Sequence, residues 1–337
     1  MATAVDESTG NLYVAYVDQT DNDHLKVKYY DGTAWTDLNG LTGSISQLGN
    51  VIFPSIRINP VTNEAWVAYR TDIAPGSKFL MVKRFDGNSW IDEGTDIAGT
   101  DILGNNKIPT QKIILRFSPV GEAFIAFMFS SGGLQGEVIS NRSGSWAFEV
   151  GTAIPQPYGI DFPSYRLIYF ASESGFGIQY VKIFRRVFNP NNNSWSNSSG
   201  VFTNDFYSGN YQGFAATTGS ALTAMHNFNS GNDIDISTFN TDLNSPASSD
   251  LTDGKSIQLL RNPVDGLSYL LYVKTTGEVV VTSYDGSNWT DITGLSANIG
   301  ATSGDSALRA KLSMRDSDGR MFVTYQDGTS ITTKYID

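Results

Sequence analysis

Short runs of alternating apolar and polar residues recur along this chain, as in Lys26–Tyr30 and Glu278–Thr282. A side-chain period of two is typical of a β-strand with one buried face. The apolar spacing of an amphipathic helix is absent from every window of about 11 residues or more. The pattern therefore predicts an all-β protein.

The predicted strands belong to a repeated unit: an aromatic strand, a second strand with a tight turn, and a tryptophan. The first copy reads Tyr13–Tyr16, then Tyr30-Asp31-Gly32, then Trp35. The tryptophans that close the repeat lie 55, 56 and 49 residues apart, and the next follows after 94 residues, which is two intervals; they are Trp35, Trp90, Trp146, Trp195 and Trp289. Short strands repeated about every 50 residues indicate a β-propeller.

We therefore predict a seven-bladed β-propeller of four-stranded antiparallel blades. One further step of about 50 residues passes the end of the chain, so the last blade is predicted to be incomplete. The fifth copy lacks its tryptophan, and the fourth is aligned through Gly177–Tyr180. The repeats predict one domain over 1–337, with approximate blades at 1–50, 51–107, 108–159, 160–209, 210–254, 255–305 and 306–337.

Composition narrows the possible partners. The chain has 34 acidic and 23 basic residues, a net charge of −11, and this argues against nucleic acid, whose phosphates require a basic surface. With no cysteine, thiolate metal sites and cysteine nucleophiles are excluded. A basic-then-apolar leader is absent, and so is a membrane-length apolar run, so membrane insertion is not expected.

The repeat resembles the propeller repeats of large exported bacterial surface proteins. In these, a strand such as Tyr13-Val14-Ala15-Tyr16 precedes a turn such as Tyr30-Asp31-Gly32 and a Trp. The resemblance implies an extracellular or cell-surface adhesion domain, monomeric within a larger protein, with a glycan or protein ligand. Its outline is also similar to lectin propellers and to the Asp-box of sialidases, although Asp and Gly are adjacent here.

Catalysis would need a constellation that the sequence does not single out. A sialidase-like site requires three arginines around a carboxylate, and five arginines lie on predicted innermost strands: Arg57, Arg116, Arg166, Arg261 and Arg309. When the Asn-Pro turns are aligned, Arg261 is one residue out of phase with Arg57, so the two would face opposite ways. We assign no catalytic residue and keep a glycoside hydrolase as the alternative.

Metal binding has two candidate segments. Asp18, Asp21 and Asp23 are dense in carboxylates, and Asp316–Gly319 is similar to the start of a calcium loop. Neither is followed by a glutamate at the required distance. We therefore expect hairpin and loop roles with no cofactor and no metal ligand, and Ca²⁺ as the alternative.

Aromatic residues outside the strand repeat are the candidates for ligand stacking. We predict Tyr158, Tyr207 and Tyr211 as stacking residues, with Asp161 or Asp205 accepting sugar hydroxyls. The alternative is that these side chains fill a gap between two irregular blades. The sequence thus predicts a non-catalytic binding or spacer propeller, with a sialidase-like hydrolase and a purely structural spacer as alternatives.

Overall fold

The protein is described here from a computed structural model. It forms two compact units, Met1–Pro155 and Gln156–Asp337. The residues described are 1–38, 45–46, 50–74, 77–93, 109–130, 134–149, 154–155, 157–161, 166–175, 178–189, 194–195, 199–200, 211–216, 222–227, 233–238, 254–274, 276–299, 310–327 and 330–336.

The first unit consists of antiparallel sheets whose strands follow one another in chain order. The sheets are β1 (Ala2–Val5), β2 (Leu12–Asp18), β3 (His24–Tyr30) and β4 (Trp35–Asp37); β5 (Ile52–Ile58), β6 (Ala65–Ala74), β7 (Ser77–Phe85) and β8 (Trp90–Asp92); and β9 (Pro109–Phe117), β10 (Ala123–Ser130), β11 (Leu134–Ser140) and β12 (Ala147–Phe148), with β13 (Ile154–Pro155) also paired to β11.

The second unit repeats this plan. Its sheets are β14 (Pro157–Asp161), β15 (Arg166–Gly175), β16 (Ile178–Asn189) and β17 (Ser194–Trp195), with β18 (Ser199–Gly200) on β16; β19 (Tyr211–Ala216), β20 (Leu222–Asn227) and β21 (Asp233–Thr238); β22 (Gly254–Arg261), β23 (Ser268–Lys274), β24 (Glu278–Tyr284) and β25 (Trp289–Asp291), with β26 (Ala297–Asn298) on β24; and β27 (Ala310–Met314), β28 (Met321–Asp327) and β29 (Ser330–Ile336).

Helical structure in the described residues is limited to two 3-10 turns, Gln19–Asp21 and Thr293–Leu295. None of the described helical segments has the length and apolar character needed to cross a membrane. The chain is therefore nearly all-β, as predicted, and its consecutive four-stranded antiparallel sheets are those of a β-propeller. The described residues form seven sheets, of which the fifth and the last have three strands each; the number of blades stays a prediction.

Alternate residues of a middle strand pack against two different neighbours. In β6, Val67 and Tyr69 belong to a buried cluster with Ala15 and Leu25 of the first sheet. The residues between and beside them, Trp66 and Ala68, belong to a second cluster with residues of the third sheet such as Ile125 and Phe127. Both faces of the sheet are thus buried, which explains the near-continuous apolar sequence of this strand.

The fourth sheet corrects one sequence alignment. Gly177–Tyr180 was aligned with the aromatic second strand, but Ile178–Tyr180 begin the third strand, β16, and the second strand is Arg166–Gly175. The reason is the length of β16, which has 12 residues where β3 has 7. Phe188 still pairs with Trp195, so the tryptophan has the position that the repeat predicts, whereas the third strand begins earlier in the sequence than predicted.

Candidate functional site

The repeated tryptophans join neighbouring sheets. Three of them pack on the aromatic residue that ends the third strand, with ring centroids 5.3 Å apart for Tyr30–Trp35, 5.4 Å for Phe85–Trp90 and 4.8 Å for Tyr284–Trp289. The indole N–H of Trp90 donates to the carbonyl oxygen of Leu38 in the preceding sheet. Trp146 donates in the same way to Glu93, at 2.8 Å. These side chains therefore have a structural role.

The Asp-Gly turns are closed by their own carboxylates. Asp31 Oδ1 accepts hydrogen bonds from the backbone N–H groups of Thr33 and Ala34, both at 2.8 Å. Asp86 and Asp285 accept the same pair of bonds in their turns. Donation from the backbone stabilises the ionised carboxylate, so the pKa of Asp31 is lowered to about 2, and the pKa values of the other two are also lowered. Such carboxylates close turns and are poor proton donors.

The arginines considered for a sialidase-like site differ in strand position and in register. Arg57 Nη1 donates to the backbone oxygens of Thr3 (2.8 Å) and Ile56 (3.0 Å). Arg116 and Arg261 also lie on first strands, but Arg166 begins a second strand, which corrects its predicted position. As predicted, Arg261 is out of phase with Arg57: Arg57 pairs with Trp66, whereas Tyr269, the residue equivalent to Trp66, pairs with Leu260. Arg309 lies outside the described residues.

The ammonium group of Lys26 lies beside the acidic segment Asp18–Asp23. Lys26 Nζ is 2.7 Å from Asp18 Oδ2 and 3.1 Å from Asp21 Oδ2. The hydrogen bond from Lys26 is the main reason that the pKa of Asp18 is lowered to about 2. In the part of the chain that the structure describes, no group of three or more His, Cys, Asp or Glu is arranged to hold a metal. The cofactor expectation, with calcium as its alternative, stays a prediction.

Three of the predicted ligand-binding residues lie on two neighbouring strands. Tyr158 and Asp161 are in β14, and Tyr211 begins β19. These are the first strands of consecutive sheets in the second unit, and they lie next to each other. Asp205 and Tyr207 lie outside the described residues. The five-residue site stays a prediction.

Both strands have an irregular register at the predicted residues. Pro157 pairs with Ala171 and Gly159 with Phe170, so Tyr158 is an extra residue in β14. In β19 the register shifts directly after Tyr211. A bulge of this kind changes the direction of a side chain relative to a regular strand. The first strands β5 and β22 have register shifts as well, between Ile52 and Ser55 and between Lys255 and Gln258.

Sequence reasoning missed a set of polar side chains that connect first strands and turns of adjacent sheets. Ser55 Oγ accepts from the backbone N–H of Leu115 at 3.0 Å. Gln258 donates to the carbonyl of Leu312 and accepts from its N–H, at 2.6 and 3.1 Å. Their equivalence follows from the Asn-Pro turns, since both lie four residues before the asparagine. The repeated asparagine can be recognised in the sequence, but the partners of Ser55 and Gln258 in the following sheet cannot.

The asparagines of these turns also reach the next sheet. Asn59 is buried; its Nδ2 donates to the carbonyl of Gly121 at 3.1 Å, and its Oδ1 accepts from the N–H of Val61 at 2.9 Å. Asn262 makes the equivalent pair of bonds, to Gly319 at 3.4 Å and from Val264 at 2.9 Å. Each asparagine thus stabilises its own turn and fixes the following one.

Comparison with known proteins gives a likeness in structure only. The chain matches no protein-family model, and no curated protein matches it by sequence. Among solved structures it is similar to the polysaccharide lyase Uly1 (TM-score 0.55, 12% identity, 96% of this chain and 87% of that chain) and to the Penicillium chrysogenum alpha-L-arabinanase complexed with arabinobiose (0.50, 12%, 85% and 93%). A six-bladed fucose-recognising lectin from Aleuria aurantia matches at a TM-score of 0.47, with 12% identity over 99% of this chain and 89% of that chain.

Structural similarity at about 12% sequence identity indicates a shared fold and says nothing about the ligand or the reaction. The sequence resemblance to propeller proteins is confirmed as a resemblance of fold. Together with the order of its sheets, the comparison identifies the chain as a β-propeller.

Proposed function

We propose that this chain is a non-catalytic carbohydrate-binding propeller that belongs to an exported bacterial surface protein. The proposal includes an extracellular or cell-surface location, a monomeric domain within a larger protein, and binding without a cofactor. It depends on one observation above the others: aromatic residues that the repeat does not explain lie on adjacent first strands, beside register shifts.

The contrast with the repeated aromatics supports this choice. Tyr30, Phe85 and Tyr284 each pack on a tryptophan of their own sheet, so the fold accounts for them. Tyr158 and Tyr211 stand outside the repeated sequence motif. An aromatic ring and a carboxylate such as Asp161 are residue types that suit a sugar, because a ring contacts its C–H groups and a carboxylate accepts its hydroxyls.

The similar structures set the order in which ligands are tested. One similar structure is a polysaccharide lyase and the other is an arabinanase in complex with arabinobiose, so glycans are tested as ligands before proteins. Both are enzymes, and a glycoside hydrolase therefore stays the second candidate function.

A glycan array probed with the purified 337-residue chain tests the proposal. We expect retention of a defined group of glycans and no turnover of chromogenic glycosides. Tyr158→Ala, or Tyr207→Ala combined with Tyr211→Ala, should weaken retention about tenfold or more while the melting temperature stays unchanged. Tyr30→Ala is the matched control: it removes an aromatic residue that packs on Trp35, so it should lower the melting temperature and leave retention intact.

Three outcomes would contradict this function. Turnover of a glycoside that disappears in Arg57→Ala would favour the hydrolase. A blank array would favour the purely structural spacer. A fall of several degrees in the melting temperature of the Tyr158 and Tyr211 variants with retention unchanged would mean that these side chains pack between irregular sheets.

A further inference from the structure

The first strands of the sheets carry a charge opposite in sign to that of the whole chain. The described first strands are β1, β5, β9, β14, β19, β22 and β27, and together they contain six basic residues and one acidic residue. The whole chain has 34 acidic and 23 basic residues. Within each unit, the first strands of consecutive sheets contact one another. Positive charge is thus concentrated on the strands through which consecutive sheets meet.

Two of these basic residues have equivalent positions in neighbouring sheets of the first unit. Arg57 in β5 and Arg116 in β9 are each the last residue but one of their strand. Each pairs with the second residue of the strand that follows, Trp66 and Phe124 respectively. β5 and β9 are in contact, and a hydrogen bond of 3.0 Å joins them two residues before Arg57 and one residue before Arg116. The two arginines therefore lie at the same level of adjacent strands.

The two arginine side chains make the same backbone contact. Arg57 Nη1 donates to the carbonyl of Ile56, and Arg116 Nη1 donates to the carbonyl of Leu115; each acceptor belongs to the preceding residue, and both distances are 3.0 Å. Arg57 Nη1 also donates to the carbonyl of Thr3 in β1, at 2.8 Å. These carbonyl groups orient the guanidinium groups, but they carry no net charge and do not neutralise them.

Both side chains are half-buried, so a ligand can reach them from solvent. An ionic interaction is stronger at such a place than in bulk water, because the effective dielectric constant is lower. A guanidinium group has five N–H donors in a planar fork, which matches two oxygens of a carboxylate or a sulfate. Two forks at the same level of adjacent strands suit an anion whose oxygens bridge them.

We propose that Arg57 and Arg116 bind the anionic substituent of an acidic glycan, a carboxylate or a sulfate ester. This specifies the class of glycan within the carbohydrate-binding function proposed above, on which it rests. The anion accepts hydrogen bonds from both guanidinium groups. Because the chain as a whole is acidic, its other surfaces repel an anionic group, and the charge pattern favours this position.

Isothermal titration calorimetry with three probes tests the site: an oligogalacturonate, its methyl ester and a sulfated galactan oligosaccharide. The methyl ester has the same sugar backbone without the charge. We expect at least one anionic probe to bind about tenfold or more tightly than the ester at low salt, and the difference to shrink as the ionic strength rises. Preference for either anionic probe supports the site, and the tighter one identifies the anionic group.

Protein variants locate the site. Arg57→Gln and Arg116→Gln should each weaken binding of the anionic probe about tenfold or more. Arg57→Lys keeps the charge and loses the planar fork, so it should weaken binding less than Arg57→Gln does. Arg261→Gln is the matched control: Arg261 is an exposed arginine of the first strand β22, one residue out of phase with Arg57, and its replacement should leave binding unchanged. Melting temperatures are measured for every variant, and Arg116→Gln and Arg57→Lys decide the outcome if Arg57→Gln fails to fold.

Three results would overturn the site. Anionic probes that bind no more tightly than the methyl ester, with neutral glycans still retained on the array, would exclude it and leave the proposed function standing. Equal weakening in Arg261→Gln and Arg57→Gln would show that only net charge matters. Retention of no glycan, acidic or neutral, would overturn the proposed function and this site together.

Discussion

Single buried amide side chains hold consecutive turns together. Asn59→Ala would remove the amide that bonds the Gly121 carbonyl and the Val61 N–H in a partly buried place. Each of these two hydrogen bonds contributes about 0.5–1.5 kcal/mol net, so we expect the free energy of unfolding to fall by about 1–3 kcal/mol in urea titrations. Asn88→Ala changes an exposed turn residue and should stay within about 0.5 kcal/mol of the parent chain.

The glycine on the other side of this contact gives an independent control. Gly121 and Gly87 both have positive φ, +86° and +99°, so alanine is strained at either position. Only at Gly121 would the new Cβ meet a neighbour, the Asn59 Oδ1 at 3.0 Å. Gly121→Ala should therefore be the more destabilising of the two. Equal effects would mean that the contact between the turns contributes little to stability.

At the scale of the strand, side-chain hydrogen bonds connect the first strand of one sheet to the first strand of the following sheet. Gln258 bonds to both backbone groups of Leu312, in the following sheet. Gln258→Ala should lower the free energy of unfolding by about 1–3 kcal/mol, because both backbone groups lose a partner. Gln258→Glu keeps the acceptor and loses the donor, so it should not restore stability at neutral pH. A stability unchanged in Gln258→Ala would show that solvent replaces both bonds.

How far the elements could be predicted depends on the range of the signal. The period of two and the Asp-Gly turns gave the strands and their hairpins, because both features act between residues close in sequence. The contacts of Ser55 and Gln258 join residues 60 and 54 positions apart, and no local pattern contains that register. The fourth copy was misaligned because a lengthened β16 moved the strand start away from the tryptophan.

The candidate site was predictable only by exclusion. Tyr158 and Tyr211 are candidates for ligand binding because they stand outside the repeated motif, and this follows from the sequence alone. That β14 and β19 are neighbours follows from the propeller order. The register shifts beside both residues could not be foreseen, since a bulge depends on how two strands pair and not on one strand's composition.

For the molecule as a whole, the Asp-Gly turns predict a dependence of stability on acid. The folded-state pKa of Asp31 is about 2, lowered from 3.8 by backbone hydrogen bonds, and those of Asp86 and Asp285 are lowered too. A group with a depressed folded pKa contributes stability that is present above its unfolded pKa and is lost as the pH falls through its folded pKa. The three turns should therefore lose part of their stabilisation between about pH 4 and pH 2.

Replacing all three aspartates by asparagine tests this. Asparagine keeps an oxygen that accepts the turn bonds but carries no charge. The melting temperature of the triple variant should lie below that of the parent chain at pH 6, and the gap should narrow as the pH falls below about 4. A gap that stays constant across this range would show that the ionised carboxylates are not responsible.

The side-chain hydrogen bonds between adjacent sheets end on backbone atoms of the following sheet and not on its side chains. Ser55, Asn59, Gln258 and Asn262 each hold an N–H or C=O group of the following sheet, and every residue type except proline offers both groups. A neighbouring repeat can therefore accumulate substitutions without losing its attachment. This permits the third and the seventh copies, which receive these bonds, to drift away from the consensus while the copies before them remain conventional. New binding surfaces could evolve in such a copy at little cost to the fold.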